Sequence, residues 1–219
     1  RLAAICDTRS KQELIQGFGG VPFFNSLEEM LENSPLVDVV CIATPNGFHE
    51  QHALTALRCQ KHVVIEKPMC LTSAGCKHII AVANEQQKHV FCVMQNRYSA
   101  PSMWLKDIVS RNLLGSIYMV QVNCFWNRDE RYYKAGSWHG SRELDGGTIF
   151  TQFSHFIDMI YWLFGDIQHI RARFYDFKHQ GLTEFEDSGT VSFEFANGGM
   201  GNLNFSTAVW EKNVESSIT

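Results

Sequence analysis

The sequence predicts two joined domains: a doubly wound parallel α/β domain over residues 1–95, then an α+β domain with a mostly antiparallel sheet over residues 96–219. Three observations lead there. Short apolar runs alternate with helical patterns in the first part, which is the signature of βαβ units. Long strand patterns follow one another in the second part, two of them joined by the turn dipeptide Asn197-Gly198. Between the two parts the spacing changes, and a loop dense in Trp, Tyr and Arg follows.

Taken in order, residues 2–6 form an apolar strand that ends at Asp7. Residues 10–16 read as a short helix, stopped by Gly17, Gly19 and Gly20. Ser26 caps a helix running to residue 33, and Glu28 and Glu29 suit its first turn, where unpaired N–H groups favour negative charge. Strands at 37–43, 62–65 and 90–94 alternate with helices at 49–59 and 73–87. A helix at 101–112, a strand at 116–125 and an apolar helix at 148–164 follow, then strands at 169–177, 188–195 and 201–208. There is no internal repeat.

A dinucleotide-binding domain opens with a strand, a Gly-x-Gly-x-x-Gly turn and a helix. Gly17-Phe18-Gly19-Gly20 lacks that spacing and follows a helix, so it reads as a helix stop. The chain begins at what reads as the second strand. It is therefore expected to be a fragment, incomplete at both domains' outer ends.

Composition excludes several classes. Net charge is −4 with Lys and Arg scattered, so no basic stripe points to nucleic acid. No run of about 18 apolar residues points to a membrane span. The seven cysteines are odd in number and show no C-x-x-C spacing, which fits reduced packing cysteines and a cytoplasmic protein. No metal site is expected. His49 and His52 lie three apart, with no cysteine or carboxylate placed to complete a tetrahedron.

Several groups carry chemistry. Glu66-Lys67-Pro68 follows the apolar strand at 62–65, and α/β enzymes bind ligands past the carboxyl ends of such strands. The same tripeptide also reads as a turn with a solvated lysine. Asp7 ends a strand where an acid can bond ribose hydroxyls and repel a 2′-phosphate, favouring NAD; Arg9 keeps NADP open. Thr44-Pro45-Asn46 ends the next strand, and Asn46 can cap the helix after it. In the apolar helix, Thr151, His155 and Asp158 share one polar stripe at i, i+4 and i+7, which fits either a site or a satisfied core histidine. Gly146 and Gly147 precede it and permit close approach. The loop through Trp126, Arg128, Tyr132, Tyr133, Trp138 and His139 suits base stacking and anion pairing, or an oligomer interface.

Together, Glu66-Lys67-Pro68, Thr44-Pro45-Asn46 and a Gly-Gly pair before His155-Phe156-Ile157-Asp158 resemble the Gfo/Idh/MocA oxidoreductases across essentially the whole chain. Within them, Gln95-Asn96-Arg97-Tyr98, Phe125-Trp126-Asn127-Arg128 and Asp145-Gly146-Gly147-Thr148 are most similar to UDP-N-acetylglucosaminuronate 3-dehydrogenases. The resemblance implies a Rossmann domain, then an open-faced domain whose sheet supports a homodimer or homotetramer. It implies NAD(P)-dependent hydride transfer at a sugar carbon, here the C3 hydroxyl of a UDP-sugar. A free sugar, an inositol or a dihydrodiol is the alternative substrate, and a non-catalytic dinucleotide sensor is the alternative class. Carried over, Lys67 and His155 are catalytic, and the Lys67-Pro68 peptide is cis. Asp7, Arg9, Thr44, Pro45, Asn46, His49, Glu66, Lys67, Pro68, Gln95 and Trp138 contact the cofactor. Arg97, Tyr98, Arg128, Tyr133, Thr151 and His155 contact the substrate. Two departures stand out: Thr151 where many relatives carry an aspartate, and His139 where many carry an arginine.

Overall fold

The computed structural model describes residues 1–10, 20–134 and 136–219. Residues 11–16 of the expected first helix, and the stop at Gly17 and Gly19, lie outside the described residues. The chain divides into two compact units, Arg1–Val93 and Met94–Thr219.

Among the described residues of the first unit, strand pairing is parallel, in two separate sheets. β1 (Ile5–Cys6) pairs with β2 (Phe23–Phe24). β3 (Val39–Ile42), β4 (His62–Ile65) and β5 (Val90–Cys92) form the other, in the order β3-β4-β5. Val63 and Ile65 of β4 are fully buried, as befits the central strand. β3 buries Val40 and Ile42 but exposes Val39 and Cys41, so only one of its faces is covered. β2 has no counterpart among the expected elements, because a two-residue strand leaves no alternation to read.

Among the described residues, the helices Leu27–Asn33, His49–Arg58 and Ser73–Glu85 pack on these strands. Their starts follow from side-chain chemistry. Ser26 Oγ accepts the Glu29 N–H (3.1 Å), and Thr72 Oγ1 accepts the Gly75 N–H (3.0 Å). Each satisfies a donor that the first helical turn leaves open. Asn46 does not cap as expected. It begins a 3-10 turn, Asn46–Phe48, and its carbonyl receives the His49 N–H.

The second unit is a five-stranded mixed sheet in the order β10-β6-β9-β8-β7. Its strands are β6 (Met119–Phe125), β7 (Ile167–Tyr175), β8 (Ser188–Phe195), β9 (Met200–Ser206) and β10 (Glu215–Ile218). Only β6 and β9 pair parallel; the other three pairings are antiparallel. The hairpin at Asn197-Gly198 forms, and Gly199 after it is required twice over. Its φ is +93°, and a Cβ there would sit 2.5 Å from the Ile117 carbonyl. β10 is polar and was not among the expected strands; only its pairing with β6 makes it one. One face of the sheet, through Val122, Cys124, Phe193, Leu203 and Phe205, packs on Phe153 and Ile160.

The expected single helix at 148–164 is two pieces, Thr148–Thr151 and Ser154–Phe164. The Phe153 N–H reaches five residues back to Thr148 O (3.1 Å), which ends the first piece. The stripe of Thr151, His155 and Asp158 is therefore not one continuous helix face. All seven cysteines are free, and no helix among the described residues is long and apolar enough to cross a membrane.

Candidate active site

The candidate residues divide between the two units, and each group is built within its own unit. In the first, two turns share one edge of a sheet. Thr44-Pro45 follows β3 and Glu66-Lys67-Pro68 follows β4, and these neighbours are parallel, so both turns leave at the carboxyl ends. The Glu66 N–H donates to Ile42 O (2.9 Å), which keeps the ladder closed up to the lysine. The Lys67 N–H faces Glu66 Oε2 at 3.3 Å, and the Lys67-Pro68 peptide is cis. Lys67 is half-buried and Pro68 buried.

His49 corrects the reading from resemblance. Its side chain is 0% exposed. Nδ1 lies 2.7 Å from Pro68 O and Nε2 lies 2.9 Å from Thr44 O. A carbonyl only accepts, so whichever nitrogen carries the proton donates to its own carbonyl, and with no exposed surface the ring is packed inside the unit. It ties the two turns together from behind. His52, one helical turn on, meets Thr44 Oγ1 through Nδ1 at 3.1 Å, and burial pushes its imidazole below the ordinary histidine range.

Asp7 sits just past β1. Its carboxylate accepts from Arg9 three times, from N (2.9 Å), Nε (3.1 Å) and Nη2 (3.1 Å). The Arg9 side chain beside it holds the carboxyl below the usual carboxylate range. An ionised carboxylate only accepts hydrogen bonds, so this end of the strand fits a pair of ribose hydroxyls.

In the second unit, His155 lies in the first turn of the Ser154–Phe164 helix and is half-buried. One turn on, Asp158 takes a two-pronged bond from Arg97, Nε to Oδ2 at 2.7 Å and Nη2 to Oδ1 at 2.5 Å. The pair pins the helix to the 3-10 turn Gln95–Tyr98. Arg97 is thus a positioning residue here, while Gln95 and Tyr98 on the same turn are exposed.

Thr151 is buried and donates its hydroxyl hydrogen to Asp145, at Oδ1 and at the backbone carbonyl (3.0 Å). Its hydroxyl proton is thereby committed to protein rather than to a substrate. Tyr133 is 4% exposed, walled by Tyr132, His179 and Phe185, so it too is a packing group rather than a substrate contact; burial pushes its phenol up. Gly146 and Gly147 hold φ of +88° and +122°. A Cβ on Gly147 would meet only ordinary contacts, so its need is conformational rather than spatial.

The ring-rich loop forms a column. The Arg128 guanidinium lies 5.0 Å from the Trp126 ring and 5.2 Å from that of Tyr132. Tyr132 packs on His139 at 4.4 Å, and His139 on Trp138 at 3.8 Å. Cations and rings attract through the ring quadrupole, so the column is held without charge pairing. Asp145 and the Arg97–Asp158 pair had no signal in the sequence beyond lying within quoted motifs. A hollow of about 420 Å³ elsewhere in this unit, near Asn112, Tyr118 and Phe164, holds none of the candidate residues.

Residues 1–94 match the family described as "Oxidoreductase family, NAD-binding Rossmann fold", and residues 103–219 match the "GFO/IDH/MocA C-terminal domain". The chain belongs to the Gfo/Idh/MocA oxidoreductase family. Among family structures, the WlbA dehydrogenase from Bordetella pertussis in complex with NADH and UDP-GlcNAcA shares 34% identity, with a TM-score of 0.90 over 99% of this chain and 67% of that one. The WlbA dehydrogenase from Chromobacterium violaceum, also with NADH and UDP-GlcNAcA, shares 32% identity, with a TM-score of 0.91 over 99% and 62%. The scyllo-inositol 2-dehydrogenase (NADP(+)) IolW of Bacillus subtilis is 28% identical over 158 residues, 72% of this chain and 43% of its own length. The chain thus spans less than half the length of that curated Gfo/Idh/MocA relative.

Proposed function

We propose that the whole protein is an NAD-dependent dehydrogenase acting on the C3 hydroxyl of a UDP-N-acetylglucosaminuronate-type sugar nucleotide. The observation that carries this reading is the likeness, over 99% of the chain, to a dehydrogenase bound to NADH and UDP-GlcNAcA. The residues present fit the dinucleotide: an ionised Asp7 at a strand end for ribose hydroxyls, and two tied turns at the carboxyl edge of a parallel sheet. Arg9 is engaged with Asp7, which favours NAD over NADP. Thr44, Pro45, Asn46, Glu66, Lys67, Pro68, Gln95 and Trp138 are the other residues we assign to holding it. When bound, NAD accepts the hydride from the carbon that bears the reacting hydroxyl.

The chain's own residues supply the rest. His155 takes the hydroxyl proton on an imidazole nitrogen. Lys67, as an ammonium group, donates a hydrogen bond to the same oxygen and stabilises the charge that builds there. Arg128 and Tyr98 are our candidates for the anionic and nucleotide parts of the substrate.

The test is reduced-nicotinamide absorbance with the full-length protein, NAD and three substrates: UDP-N-acetylglucosaminuronate, a free sugar and an inositol. Turnover with the first alone is expected. Turnover only with a free sugar or inositol would replace the substrate, and binding of NAD without any turnover would replace the enzyme by a sensor. Lys67→Ala should cut turnover by at least about 100-fold with the fold intact.

Self-association through the sheet face turned away from Phe153 belongs to the same reading. That face carries a polar ladder, Thr190 to Asn204 (2.8 Å), Asn204 to Asn123 (3.1 Å) and Asn123 to Glu215 (3.1 Å). A second copy is the proposed partner, and a monomer by light scattering of the full-length protein would refute it.

A further inference from the structure

Arg128 differs from its neighbours in what holds it. Arg131 is bound to Asp129 through N (3.0 Å), Nε (2.9 Å) and Nη2 (2.6 Å), and Arg97 is paired with Asp158. Arg128 is half-buried and forms no ion pair among the described residues. Its Nη1 donates to Asn127 O (2.6 Å) and to Asn213 Oδ1 (3.3 Å), and its guanidinium lies over the Trp126 and Tyr132 rings. Each of these partners is neutral. The carboxylate next along the chain, Asp129, is already taken by Arg131, so the Arg128 charge stays whole.

The holders are themselves held. Trp126 Nε1 donates to Ser216 Oγ (2.8 Å), and the Tyr132 hydroxyl accepts from Nε2 of the buried Gln152 (3.3 Å). Asn213 Oδ1 also accepts the Asn127 N–H (3.0 Å). One amide oxygen thus fixes both the backbone just before Arg128 and the tip of its side chain. Burial, and then Asp145, pushes the Tyr132 phenol up against the pull of Arg128, so the ring beside the cation is neutral. Nη1 carries two hydrogens, and both go to protein oxygens. The Nε and Nη2 edge is the side-on fork, whose spacing matches two oxygens of a carboxylate or phosphate. Ordering a long side chain beforehand removes a cost that binding would otherwise carry.

We propose that Asn213 is a positioning residue: together with the Trp126 and Tyr132 rings it presets Arg128 as an uncompensated cation, whose Nε and Nη2 edge takes a two-oxygen anion of the sugar nucleotide. That anion is the diphosphate or the sugar carboxylate. The inference rests on the reading of Arg128 as a substrate contact. Asn213 acts through Arg128 and is assigned no substrate contact of its own.

The test measures binding by calorimetry, using the full-length protein with NADH bound so that no hydride moves. The probes are UDP and UDP-N-acetylglucosaminuronate. Asn213→Asp is the deciding variant, at an exposed position. It keeps an acceptor oxygen for Asn127 and Arg128 but sets a negative charge against the guanidinium. A merely structural role would survive that exchange, whereas a preset, uncompensated cation would not. We expect about tenfold weaker binding. Loss with both probes assigns Arg128 to the diphosphate, and loss with the uronate alone assigns it to the carboxylate. In an Arg128→Ala background the same exchange should cost less than about threefold, because the two residues share one effect. Tyr132→Leu, which removes a ring but no charge, should weaken binding about threefold and serves if Asn213→Asp does not fold. Wild-type affinity for both probes in Asn213→Asp, or a full tenfold loss in the Arg128→Ala background, overturns the proposal. Failure of the underlying reading looks different: Arg128→Ala alone would bind both probes as wild type does.

Discussion

The two units hold their candidate groups by opposite means. In the first, Lys67 sits on a turn fixed by main-chain carbonyls and one buried imidazole, with partners five and nineteen residues away. In the second, the His155 helix is held by charged side chains, one pair of which spans sixty-one residues. A backbone clamp has no substitute, because the carbonyls stay whatever replaces the imidazole. A charged pair can be replaced as a unit. The first unit should therefore fail sharply on one mutation, and the second should forgive a matched exchange.

The largest expected effect breaks the clamp. His49→Ala removes the imidazole that lies between the Pro68 and Thr44 carbonyls and opens a cavity. We expect a loss of about 3 kcal/mol by urea denaturation, from one to two unmade bonds plus the void. A loss below about 1 kcal/mol would mean that the two turns are fixed by the strands alone.

Next is the pair in the second unit. Asp158→Ala removes the two-pronged carboxylate partner of Arg97, whose side chain is 30% exposed. The cost should be about 2 kcal/mol, below that of a fully buried pair because water still reaches the arginine. Arg97→Met with Asp158→Leu should recover most of it. A double variant as unstable as the single one would erase the contrast between the units.

That contrast also explains what was legible in the sequence. Strand β4, the Ser26 cap, the helix that begins at Ser73 and the Asn197-Gly198 turn depend on neighbours within a few residues, and local spacing reports them. The edge position of Lys67 follows from the same alternation. The break at Gln152 and Phe153 was hidden, because the apolar period continues straight through it while Thr151 is bonded to Asp145. The resemblance assigns His49 to the cofactor, and only its full burial beside the Pro68 and Thr44 carbonyls shows that it faces inward. The resemblance assigns Arg97 and Tyr133 to the substrate, and Asp158, His179 and Phe185, which pack against them, lie too far along the chain for spacing to reveal.

A smaller effect probes whether local rules suffice in the first unit. Thr72→Ala removes the hydroxyl that caps the Ser73–Glu85 helix, the helix that follows the Lys67 turn. About 1 kcal/mol should be lost. Ser26→Ala on the Leu27–Asn33 helix should cost a similar amount, since the geometry matches. Thermal unfolding of the two variants checks both. A much larger loss for Thr72 would show that its hydroxyl also supports Cys70, whose Sγ lies 4.0 Å away.

The smallest effect is a pH dependence with one histidine in each unit. Burial lowers His52 in the first unit, with Glu28 opposing and His49 adding to the shift. Burial lowers His179 in the second, against the raising influence of Asp187 and Asp176. In both cases the unfolded chain binds the proton more readily than the folded one. Stability therefore rises with pH across the window between the lowered folded value and the unfolded value of about 6.5, and is lost as pH falls through it. His52 is half-buried and His179 is buried, so the His52 share should be roughly a few tenths of a kcal/mol and the His179 share the larger of the two. Between about pH 7.5 and 5.5 the melting temperature should fall, and carboxylates such as Asp7, lowered by Arg9, contribute only at more acidic pH. His52→Gln and His179→Gln should each flatten part of that slope, additively, because the two sites share no partner. A slope unchanged in both variants would place the acid sensitivity elsewhere and leave burial of these rings without a thermodynamic cost.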